Sequence, residues 1–536
     1  MKVLWVWLLA GLAALAVFIA FFDYVFPFAS IDVKVSKEQA LEESAKFIRS
    51  QGFELAGYDR AITFDSDFEA SVYLQKTQGI KKSNELIEQG IPVWFWRVRW
   101  FRELEKEGFL VFVDPSTAQV LFFRHFVLED SPGASLSKDK AVGIAQGQLS
   151  AQGAALSEFE LKDSTTTTQK HRTDYNFSWE KKGYSVDQAT LRVDADIYGA
   201  TLGKYRKYLK VPEEFRRYLQ KELSFGRMLS VASTVLKYIL VLIAIFVLYA
   251  RASKEQAAWK FWLAVGSVVA LWELVDFFNS LPLWWSYYPD TMSKVSFFTE
   301  SLGSQMTQVL SSGLIVLACG ALGEMSNPEF LRTRCALFSS IKNKTFSLRA
   351  VAPVFVVGYS AGFIFLAYIT LFYLCGTRYF HIWLPPESEY SNMFGMFVPF
   401  LFPLTIAITA ALQEECMYRF FGVSFLKKWL NKTWWALFIP ALLWGFSHSF
   451  YHVFPTYVRG IELTIFGIFL GLIFLRYGLE TVIIAHFVIN ATLASVPLLR
   501  SHSSLFVSSG VLVVALALAP LALFPFLKMR AGRTIN

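Results

Sequence analysis

The chain has 536 residues, of which 54% are hydrophobic and 17% aromatic, while only 18% are charged. Soluble globular domains carry about 25% charged residues, so this composition excludes an ordinary soluble protein and predicts a polytopic membrane protein. The formal net charge of +8 does not indicate nucleic-acid binding, because the basic residues are dispersed among short loops between apolar segments.

The first apolar segment predicts a membrane anchor near the N-terminus. Residues 3–22 are apolar, and at about 1.5 Å per helical residue they are long enough to cross a bilayer. No small-residue cleavage site follows, so we predict a retained transmembrane helix within residues 1–28. The four cysteines begin at Cys319, which leaves the polar N-terminal region without a disulfide framework or a Cys-rich zinc site.

The polar region over residues 30–225 contains an internal repeat. Ser36–Gly52 aligns with Ser137–Gly153 at an offset of 101 residues, and strand-like sequence follows each copy. We predict an α+β domain of two similar modules, about 36–130 and 137–222, each with a helix followed by antiparallel strands.

A Val-Asp step is expected near a strand end in each module, at Val113-Asp114 and at Val193-Asp194. Together with the α-then-β order, this step resembles the PepSY or cystatin-like modules found outside bacterial membranes. The alternative is a duplicated α+β domain with another role.

Hydropathy predicts nine further spans after about Met228, which makes ten with the anchor. The predicted fold class is an all-α polytopic membrane protein of about ten transmembrane helices with an inserted α+β domain. We divide the membrane part into helices in 228–345, a core in 350–500, and a last helix with a basic tail in 504–536. The nine spans are 229–250, 259–280, 305–325, 350–375, 396–426, 434–454, 461–475, 479–498 and 504–527.

The distribution of Lys and Arg among the loops predicts the orientation of the chain. Positive residues collect on the cytoplasmic side, and alternate loops are rich in them. We predict a plasma-membrane protein with cytoplasmic N- and C-termini and with residues 30–225 extracytoplasmic. The outer loops contain Lys294, Arg378, Arg459 and Arg500, whereas the inner loops and the tail contain Arg251, Lys254, Lys260, Arg332, Arg334, Lys342, Lys344, Arg349, Lys427, Lys428, Lys432, Arg476, Lys528, Arg530 and Arg533.

Three polar motifs interrupt the apolar segments of the core. A charged side chain at the bilayer centre costs about 2.5–3.5 kcal/mol, so such residues persist mainly where they have a function. At about 1.5 Å per residue, their ionisable and amide side chains lie roughly 15–22 Å from the predicted cytoplasmic boundary. Three helices are thus expected to bring one site together. The motifs are Glu414–Arg419, Trp444–His448 and His486–Asn490.

The spacing within the motifs suggests a role for each residue. Glu415 and Arg419 are four residues apart and can pair on one helix face, which leaves Glu414 as the candidate general base. His486 and Asn490 share a face in the same way and suit the binding of a carbonyl or oxyanion. The alternative is that both acids only pair with Arg419 and that the histidines only satisfy carbonyls. The common depth on three helices favours a site.

The motifs Glu-Glu-x-x-x-Arg, aromatic-x-x-x-His and His-x-x-x-Asn, in this order, resemble the CPBP family of intramembrane proteases. That family includes the CAAX protease and bacteriocin-processing or self-immunity proteins. The resemblance covers about residues 350–500 and implies an endopeptidase. The resemblance implies that Glu414 and His448 activate water, while His486 and Asn490 stabilise the tetrahedral intermediate. It also implies that Glu415 and Arg419 support these four residues.

The residues leave the cofactor open. A zinc ion held by Glu414, His448 and His486 fits the chemistry of the side chains, and so does a water activated by glutamate without a metal. The sequence departs from the family pattern at Trp444, where Phe is usual, and in the two Phe residues that separate Arg419 from the next Gly.

Other polar residues also lie in the apolar segments. His452 is expected one helical turn beyond His448, but the Glu of the zincin motif is absent, which favours an outer-edge or packing histidine. Glu273 and Asp276 are expected to line the same cavity or to pair with a buried Arg.

Two further patterns predict packing rather than a ligand site. Gly358-x-x-x-Gly362 and Gly467-x-x-x-Gly471 favour close contacts between helices inside the bundle. The aromatic residues of 284–288 are expected to form an outer interfacial belt.

The sequence therefore supports one function above two alternatives. The first is an intramembrane endopeptidase acting on membrane-associated peptide or protein substrates, such as a CAAX-like tail, a leader peptide or a membrane protein. The second is a non-catalytic scaffold or immunity protein that keeps the polar pocket. The third is a proton-coupled transporter, which the absence of evident inverted repeats disfavours.

Overall fold

The computed structural model shows a bundle of helices with a sheet domain inserted after the first helix. It describes residues 2–26, 31, 33–251, 258–327, 336–337, 348–384 and 392–531. An inserted sheet domain in a mostly helical chain agrees with the predicted fold class. Several residues used to predict the orientation, together with one cysteine, lie outside the described ranges: Lys254, Arg332, Arg334, Cys335, Lys342, Lys344 and Arg533.

The inserted domain follows α1 (Lys2–Val25) and consists of an eight-stranded antiparallel sheet with three helices. The spatial order of the strands, numbered along the chain, is 1-2-3-4-8-7-6-5. The helices are α2 (Lys37–Ser50), α3 (Phe68–Glu88) and α4 (Lys138–Ala151). The strands are β1 (Asp59–Ser66), β2 (Trp94–Phe101), β3 (Gly108–Val113), β4 (Val120–Phe126), β5 (Phe159–Thr168), β6 (Thr173–Val186), β7 (Ala189–Tyr198) and β8 (Thr201–Lys210).

The internal repeat appears as the two halves of this sheet. Helices α2 and α4 are both 14 residues long, and their first residues, Lys37 and Lys138, keep the spacing of the sequence repeat. Four antiparallel strands accompany each helix, and β4 pairs with β8 to join the halves. In the second half a helix is followed by antiparallel strands, whereas in the first half α3 lies between β1 and β2. Val113 ends β3, but Val193 lies inside β7, so the expected strand end is wrong for the second half.

Large aromatic side chains on β2 attach the sheet to α2. Trp96 and Trp100 lie an even number of residues apart and therefore point to the same face of the sheet. The Nε1–H of Trp96 donates to the carbonyl of Val35 at 2.9 Å, and that of Trp100 donates to Ser44 Oγ on α2 at 3.1 Å. These bonds satisfy the indole donors, so both rings can be buried without an unpaired polar group.

The helices that follow the sheet domain form one bundle with α1. Helix α1 packs closely on a later helix, where Gly11 lies against Ser360. The predicted anchor is therefore part of the bundle. The later helices are α5 (Glu213–Arg251), α6 (Trp259–Asn279), α7 (Leu281–Ser286), α8 (Lys294–Ser326), α9 (Leu348–Tyr379), α10 (Leu401–Glu414), α11 (Ser424–Leu430), α12 (Thr433–Ser447), α13 (Tyr457–Tyr477), α14 (Leu479–Arg500) and α15 (Ser504–Ala531).

Within the described residues, 8 helices are long and apolar enough to cross a membrane, namely α1, α5, α6, α8, α9, α13, α14 and α15. The chain is therefore a multi-pass membrane protein. The predicted span 396–426 instead contains α10, a wider helical segment and the start of α11. The predicted span 434–454 contains α12, which ends at Ser447 and rises only about 22 Å, less than the roughly 30 Å of a hydrocarbon core.

The sheet domain lies at the end of the bundle where α12 ends and α13 begins. Lys37 Nζ donates to the carbonyl of Gly395 at 3.0 Å, just before α10. The backbone N–H of Thr456 donates to Glu222 Oε2 on α5 at 3.4 Å. In the connection between α12 and α13, the ring of His452 lies 4.3 Å from that of Phe68 on α3, which places this connection beneath the sheet domain.

The predicted aromatic belt is partly a contact with the sheet domain. Tyr288 is completely buried, and its ring centroid lies 4.9 Å from that of Phe101 on β2. Arg97 of β2 lies 4.6 Å from the ring of Tyr287 and donates to Ser286 Oγ at 3.0 Å. The belt prediction is therefore wrong for Tyr288, because this side chain covers the sheet instead of facing lipid head groups.

Candidate active site

The first motif lies where the helix changes its winding. Helix α10 ends at Glu414, and residues Glu415–Val423 form a π-helical segment, all nine of them buried, before α11 continues the rod. Such wider turns occur often at functional sites. The continuous helix formed by α10, the π-helical segment and α11 ends at Asn431, whose left-handed backbone (φ 49°) turns the chain into α12.

Glu415 joins two charged or ionisable groups inside the bundle. Its Oε1 accepts from Arg419 Nη1 at 2.9 Å and from His486 Nδ1 at 2.8 Å. The Glu415 side chain is 0% exposed and that of Arg419 is 2% exposed. The Arg419 guanidinium also lies 4.2 Å from the ring of Trp444. Glu415 therefore fixes the orientation of His486 from a position that is closed to solvent.

Glu414 lies between the second and third motifs. Trp444 Nε1 donates a hydrogen bond to Glu414 Oε2. His448 Nε2 lies 3.7 Å from Glu414 Oε1, and His486 Nε2 lies 3.8 Å from Glu414 Oε2. Both separations exceed a hydrogen bond, so the carboxylate is held by the indole and faces both imidazoles. The Glu414 side chain is 22% exposed, which makes it the accessible acid of the motif.

The hydrogen bonds of the two histidines determine which nitrogen faces Glu414. His448 Nδ1 contacts the carbonyl of Trp444 at 2.7 Å, and His486 Nδ1 contacts the carboxylate of Glu415. Because both partners can only accept, each Nδ1 carries the proton and donates. In the neutral rings, Nε2 therefore presents its lone pair toward Glu414.

A cavity of about 80 Å³ connects these groups. Its wall contains Glu414, Trp444, His448, His486 and Asn490. The rest of the wall is mainly apolar, with residues from α9, α10, α13 and α14. A small, largely apolar cavity with a few convergent polar groups is the usual form of a catalytic site.

The structure brings four of the six predicted site residues onto the cavity and places the other two behind it. Glu414, His448, His486 and Asn490 line the cavity. Glu415 and Arg419 form the ion pair expected from their spacing, and they contact the cavity residues from behind. The sequence did not reveal that Trp444 would donate to Glu414, because that bond depends on how α10 and α12 pack.

The possible zinc ligands do not form a recognisable metal site. Among the described residues, no group of three or more His, Cys, Asp or Glu side chains is arranged to hold a metal ion. The Glu414 carboxylate is hydrogen-bonded to Trp444, and its separations from the two histidines are longer than the roughly 3.3 Å that tetrahedral bonds of 2.0 Å impose on neighbouring ligand atoms. The arrangement does not support zinc as a cofactor.

Sequence reasoning missed a second buried ion pair near the cavity. Arg459 was predicted to lie in an outer loop, but α13 already begins at Tyr457, and Arg459 lines the cavity. It pairs with Glu462, which is 0% exposed. The signal was present in the sequence, because Glu462 is an acid inside a predicted span with an Arg three residues before it.

His452 does not share a helix with His448. The prediction that it lies one helical turn further along is wrong, because α12 ends at Ser447 and both histidines belong to the following turn and loop. The ring of His452 lies 4.3 Å from that of Phe68 on α3. It is therefore a packing residue beneath the sheet domain, as the missing zincin Glu suggested.

The two acids of α6 do not belong to the cavity. Glu273 Oε1 accepts from Gln413 Nε2 at 2.8 Å, and Asp276 Oδ1 accepts from Asn279 Nδ2 at 3.4 Å. Neither acid lines the cavity that contains Glu414. The expectation that they would share it is wrong, because α6 meets α10 on another face.

The predicted small-residue patterns are contacts within the bundle. A Cβ on Gly358 or Gly362 would meet side chains of α14, and one on Gly471 would meet Leu437 of α12. A Cβ on Gly467 would lie 3.1 Å from Trp444 Cε3. The close approach of α12 and α13 at Gly467 therefore fixes the indole that holds Glu414.

A substitution at Gly467 tests this support. Gly467→Val is expected to displace Trp444, with an overpacking cost of about 1–3 kcal/mol, and to lower by about tenfold the rate of the peptide hydrolysis that the three motifs predict. Gly471→Val is the matched control on the same helix face, because it meets the flexible end of Leu437. Rates and melting temperatures of both variants in detergent provide the measurement. Equal loss of activity in the two variants would contradict the role of Trp444.

Comparison with known proteins finds a family match for the segment that contains the three motifs. Residues 396–492 match the family described as type II CAAX prenyl endopeptidase Rce1-like. The sporulation-killing factor biosynthesis protein SkfC of Bacillus subtilis is 22% identical over 513 residues, which cover 92% of this chain and 95% of the relative. No solved structure matches. The resemblance to the CPBP family that the three motifs predicted is therefore confirmed, and residues 396–492, which match the Rce1-like family, carry it.

Proposed function

We propose that this protein is a membrane-embedded endopeptidase that hydrolyses a peptide bond through an activated water molecule. The main support is the convergence of Glu414, His448, His486 and Asn490 on one cavity inside the bundle. Amide hydrolysis needs a base for water, donors for the oxyanion and an acid for the leaving amine. A carboxylate, two imidazoles and an amide can supply these functions.

In the proposed reaction, Glu414 removes a proton from water while the water oxygen forms a bond with the substrate carbonyl carbon. The carbonyl oxygen becomes an oxyanion, which accepts hydrogen bonds from Asn490 and from protonated His486. The C–N bond then breaks, and the proton held by Glu414 passes to the leaving amine. His448 Nε2 accepts a hydrogen bond from the attacking water and orients it toward the substrate.

Glu415 contributes to this reaction through His486. Since Nδ1 of His486 donates to Glu415, Nε2 can donate to an oxyanion only when the ring is protonated. A buried carboxylate 2.8 Å away stabilises that imidazolium. The arrangement is the same in kind as the carboxylate that orients and stabilises the histidine of a catalytic triad.

The substrate class is proposed from the relatives. SkfC matches this chain over nearly its whole length, and its name assigns it to the biosynthesis of a sporulation-killing factor. We therefore place first a peptide precursor that is cut at the membrane. A lipid-modified C-terminal tail is the second candidate, because the family match is to CAAX prenyl endopeptidases.

The orientation predicted from the loops belongs to the same proposal. The protein lies in the plasma membrane with both termini in the cytoplasm and with residues 30–225 outside. The described residues at the end of the bundle opposite the sheet domain support it, because they include Lys427, Lys428, Lys432 and Arg476.

Cysteine labelling tests this orientation. In a background in which the native cysteines are replaced by Ser, Asp130→Cys is expected to react with a membrane-impermeant thiol reagent in intact cells. Lys432→Cys is expected to react only after the membrane is permeabilised, since it lies at the opposite end of the bundle. Both side chains are exposed in the native protein. The reverse labelling pattern would show that the orientation is inverted.

Direct cleavage tests the function. Purified protein in lipid vesicles is incubated with unmodified precursor peptides and with lipid-modified C-terminal peptides, and both fragments are identified by mass spectrometry. We expect one class to be cut at a single bond by the wild type and not by Glu414→Gln. If neither class is cut, the endopeptidase proposal fails in favour of a non-catalytic scaffold.

A further inference from the structure

A second ion pair lies in the wall of the cavity, outside the three motifs. Arg459 Nη1 donates to Glu462 Oε2 at 2.7 Å. Tyr373 OH donates to the same oxygen at 2.6 Å, and Tyr368 OH donates to the backbone carbonyl of Glu462 at 3.0 Å. Two tyrosines of α9 thus hold the acid of α13, and the acid holds the arginine.

The pair is oriented with its positive end toward the cavity. Glu462 is 0% exposed, whereas the Arg459 side chain is 18% exposed and lines the cavity together with Glu414 and His448. A guanidinium has five N–H donors in a rigid fork, and Glu462 binds one terminal nitrogen of it. Arg459 is therefore a fixed donor group in the wall and not a mobile surface charge.

The contrast with Arg419 shows that a buried arginine does not have to face the cavity. Arg419 also pairs with a glutamate, but it is 2% exposed and does not line the cavity. Among the described side chains that line the cavity, Arg459 is the one with a permanent positive charge. Burying an ion pair in the membrane costs free energy that apolar residues would not cost. This cost is understandable if the charge acts on the substrate.

Arg459 shares the cavity with the residues of the three motifs. Glu414, His448 and Arg459 all line it, so a substrate carbonyl bound beside Glu414 lies in the cavity that the guanidinium faces. Tyr451 joins the two sides, since its ring stacks on His448 at 5.5 Å and lies 5.7 Å from the Arg459 guanidinium.

We infer that Arg459 is a further catalytic residue, which donates a charge-assisted hydrogen bond to the oxyanion beside His486 and Asn490. The inference rests on the proposed endopeptidase function. Glu462 and Tyr373 preorganise the guanidinium, so little reorganisation is needed when negative charge moves from Glu414 to the oxyanion. Hydrogen bonds to ionised groups are about twice as strong as those between neutral groups.

Arg459→Gln tests the inference through transition-state binding. The variant is expected to lower kcat by about 10²-fold while KM changes little, because the lost bond exists only in the transition state. A phosphinic peptide, whose charged tetrahedral phosphorus centre resembles the intermediate, should bind less tightly by the same factor. The uncut substrate peptide should bind Arg459→Gln in the Glu414→Gln background as tightly as it binds Glu414→Gln alone. Arg459→Lys should restore part of kcat, since it keeps the charge without the fork.

The controls separate this inference from folding and from the proposed function. Arg459→Met with Glu462→Leu removes both charges, so the bundle is expected to keep its melting temperature while kcat remains low. Equal losses of affinity for substrate and phosphinic peptide, or an unchanged kcat in Arg459→Gln, would overturn the inference alone. No cleavage by the wild type would overturn the proposed function itself.

Discussion

Replacing Glu414 with glutamine is expected to lower the cleavage rate by about 10²–10⁴-fold, which is the usual contribution of a general base. Glutamine has nearly the same shape and can still accept the hydrogen bond of Trp444, but it cannot take a proton from water. Substrate affinity is expected to stay close to that of the wild type, because the carboxylate acts on water.

Glu273→Gln is the matched control for this substitution. It exchanges the same chemical groups inside the membrane, and its partner Gln413 directly precedes Glu414 in α10. Because Glu273 does not line the cavity, this variant is expected to cleave at the wild-type rate. Single-turnover rates and melting temperatures of both variants provide the measurement. Wild-type cleavage by Glu414→Gln would show that another group activates the water.

The parts of the site that could be predicted are those that depend on charge and local spacing. Charged and amide residues in apolar segments identified three helices, and a spacing of four residues correctly paired Glu415 with Arg419. These signals are local, since burying an ion in lipid is costly whatever surrounds it and helix periodicity fixes neighbours one turn away.

The parts that could not be predicted depend on where helices end and how they meet. Hydropathy falls after Ser447, but the large apolar side chains up to residue 454 allowed the predicted span to continue, so it did not show that α12 ends there and that His452 leaves the helix. The π-helical segment has the four-residue spacing of Glu415 and Arg419 that an α-helix also has, so the sequence did not reveal its wider winding. The bond from Trp444 to Glu414 and the position of Arg459 on the cavity require the packing of two or more helices.

The same distinction applies to the sheet domain. The prediction of two similar halves came from a local pattern in the sequence, a helix followed by strands, and this pattern did not reveal that α3 lies between β1 and β2 in the first half. The union of the halves into one sheet through β4 and β8 is a contact between distant segments. Tyr288 was wrongly predicted for the same reason. An aromatic residue near the end of a span is typical of an interfacial belt, and the sequence does not show that its ring packs on Phe101 of the distant strand β2.

Removing one partner of the Glu415–Arg419 pair is expected to destabilise the protein strongly. Glu415→Gln leaves the Arg419 guanidinium buried without its carboxylate, and breaking a buried pair in this way costs about 3–5 kcal/mol. The variant also removes the charge that stabilises protonated His486, so the loss of activity should exceed the loss of folded protein.

A double variant separates these two effects. Glu415→Leu with Arg419→Met replaces the pair by apolar side chains of similar size, a change that is often neutral or stabilising. A gain in stability is expected here because Glu415 Oε2 and Arg419 Nη2 are buried without a hydrogen-bond partner among the described residues, and the double variant removes both atoms. We expect the melting temperature to return close to that of the wild type.

Cleavage by this double variant should remain about 10²-fold lower or worse, because Nδ1 of His486 has lost its acceptor and the imidazolium its counter-charge. The melting temperature and the single-turnover rate, measured on the same preparation, distinguish a structural role of the pair from a role in the reaction. A stable and fully active double variant would mean that the pair only holds the helix together. A stable but inactive double variant would show that Glu415 acts on the reaction by orienting and stabilising His486. Glu414 would then remain the group that acts on water.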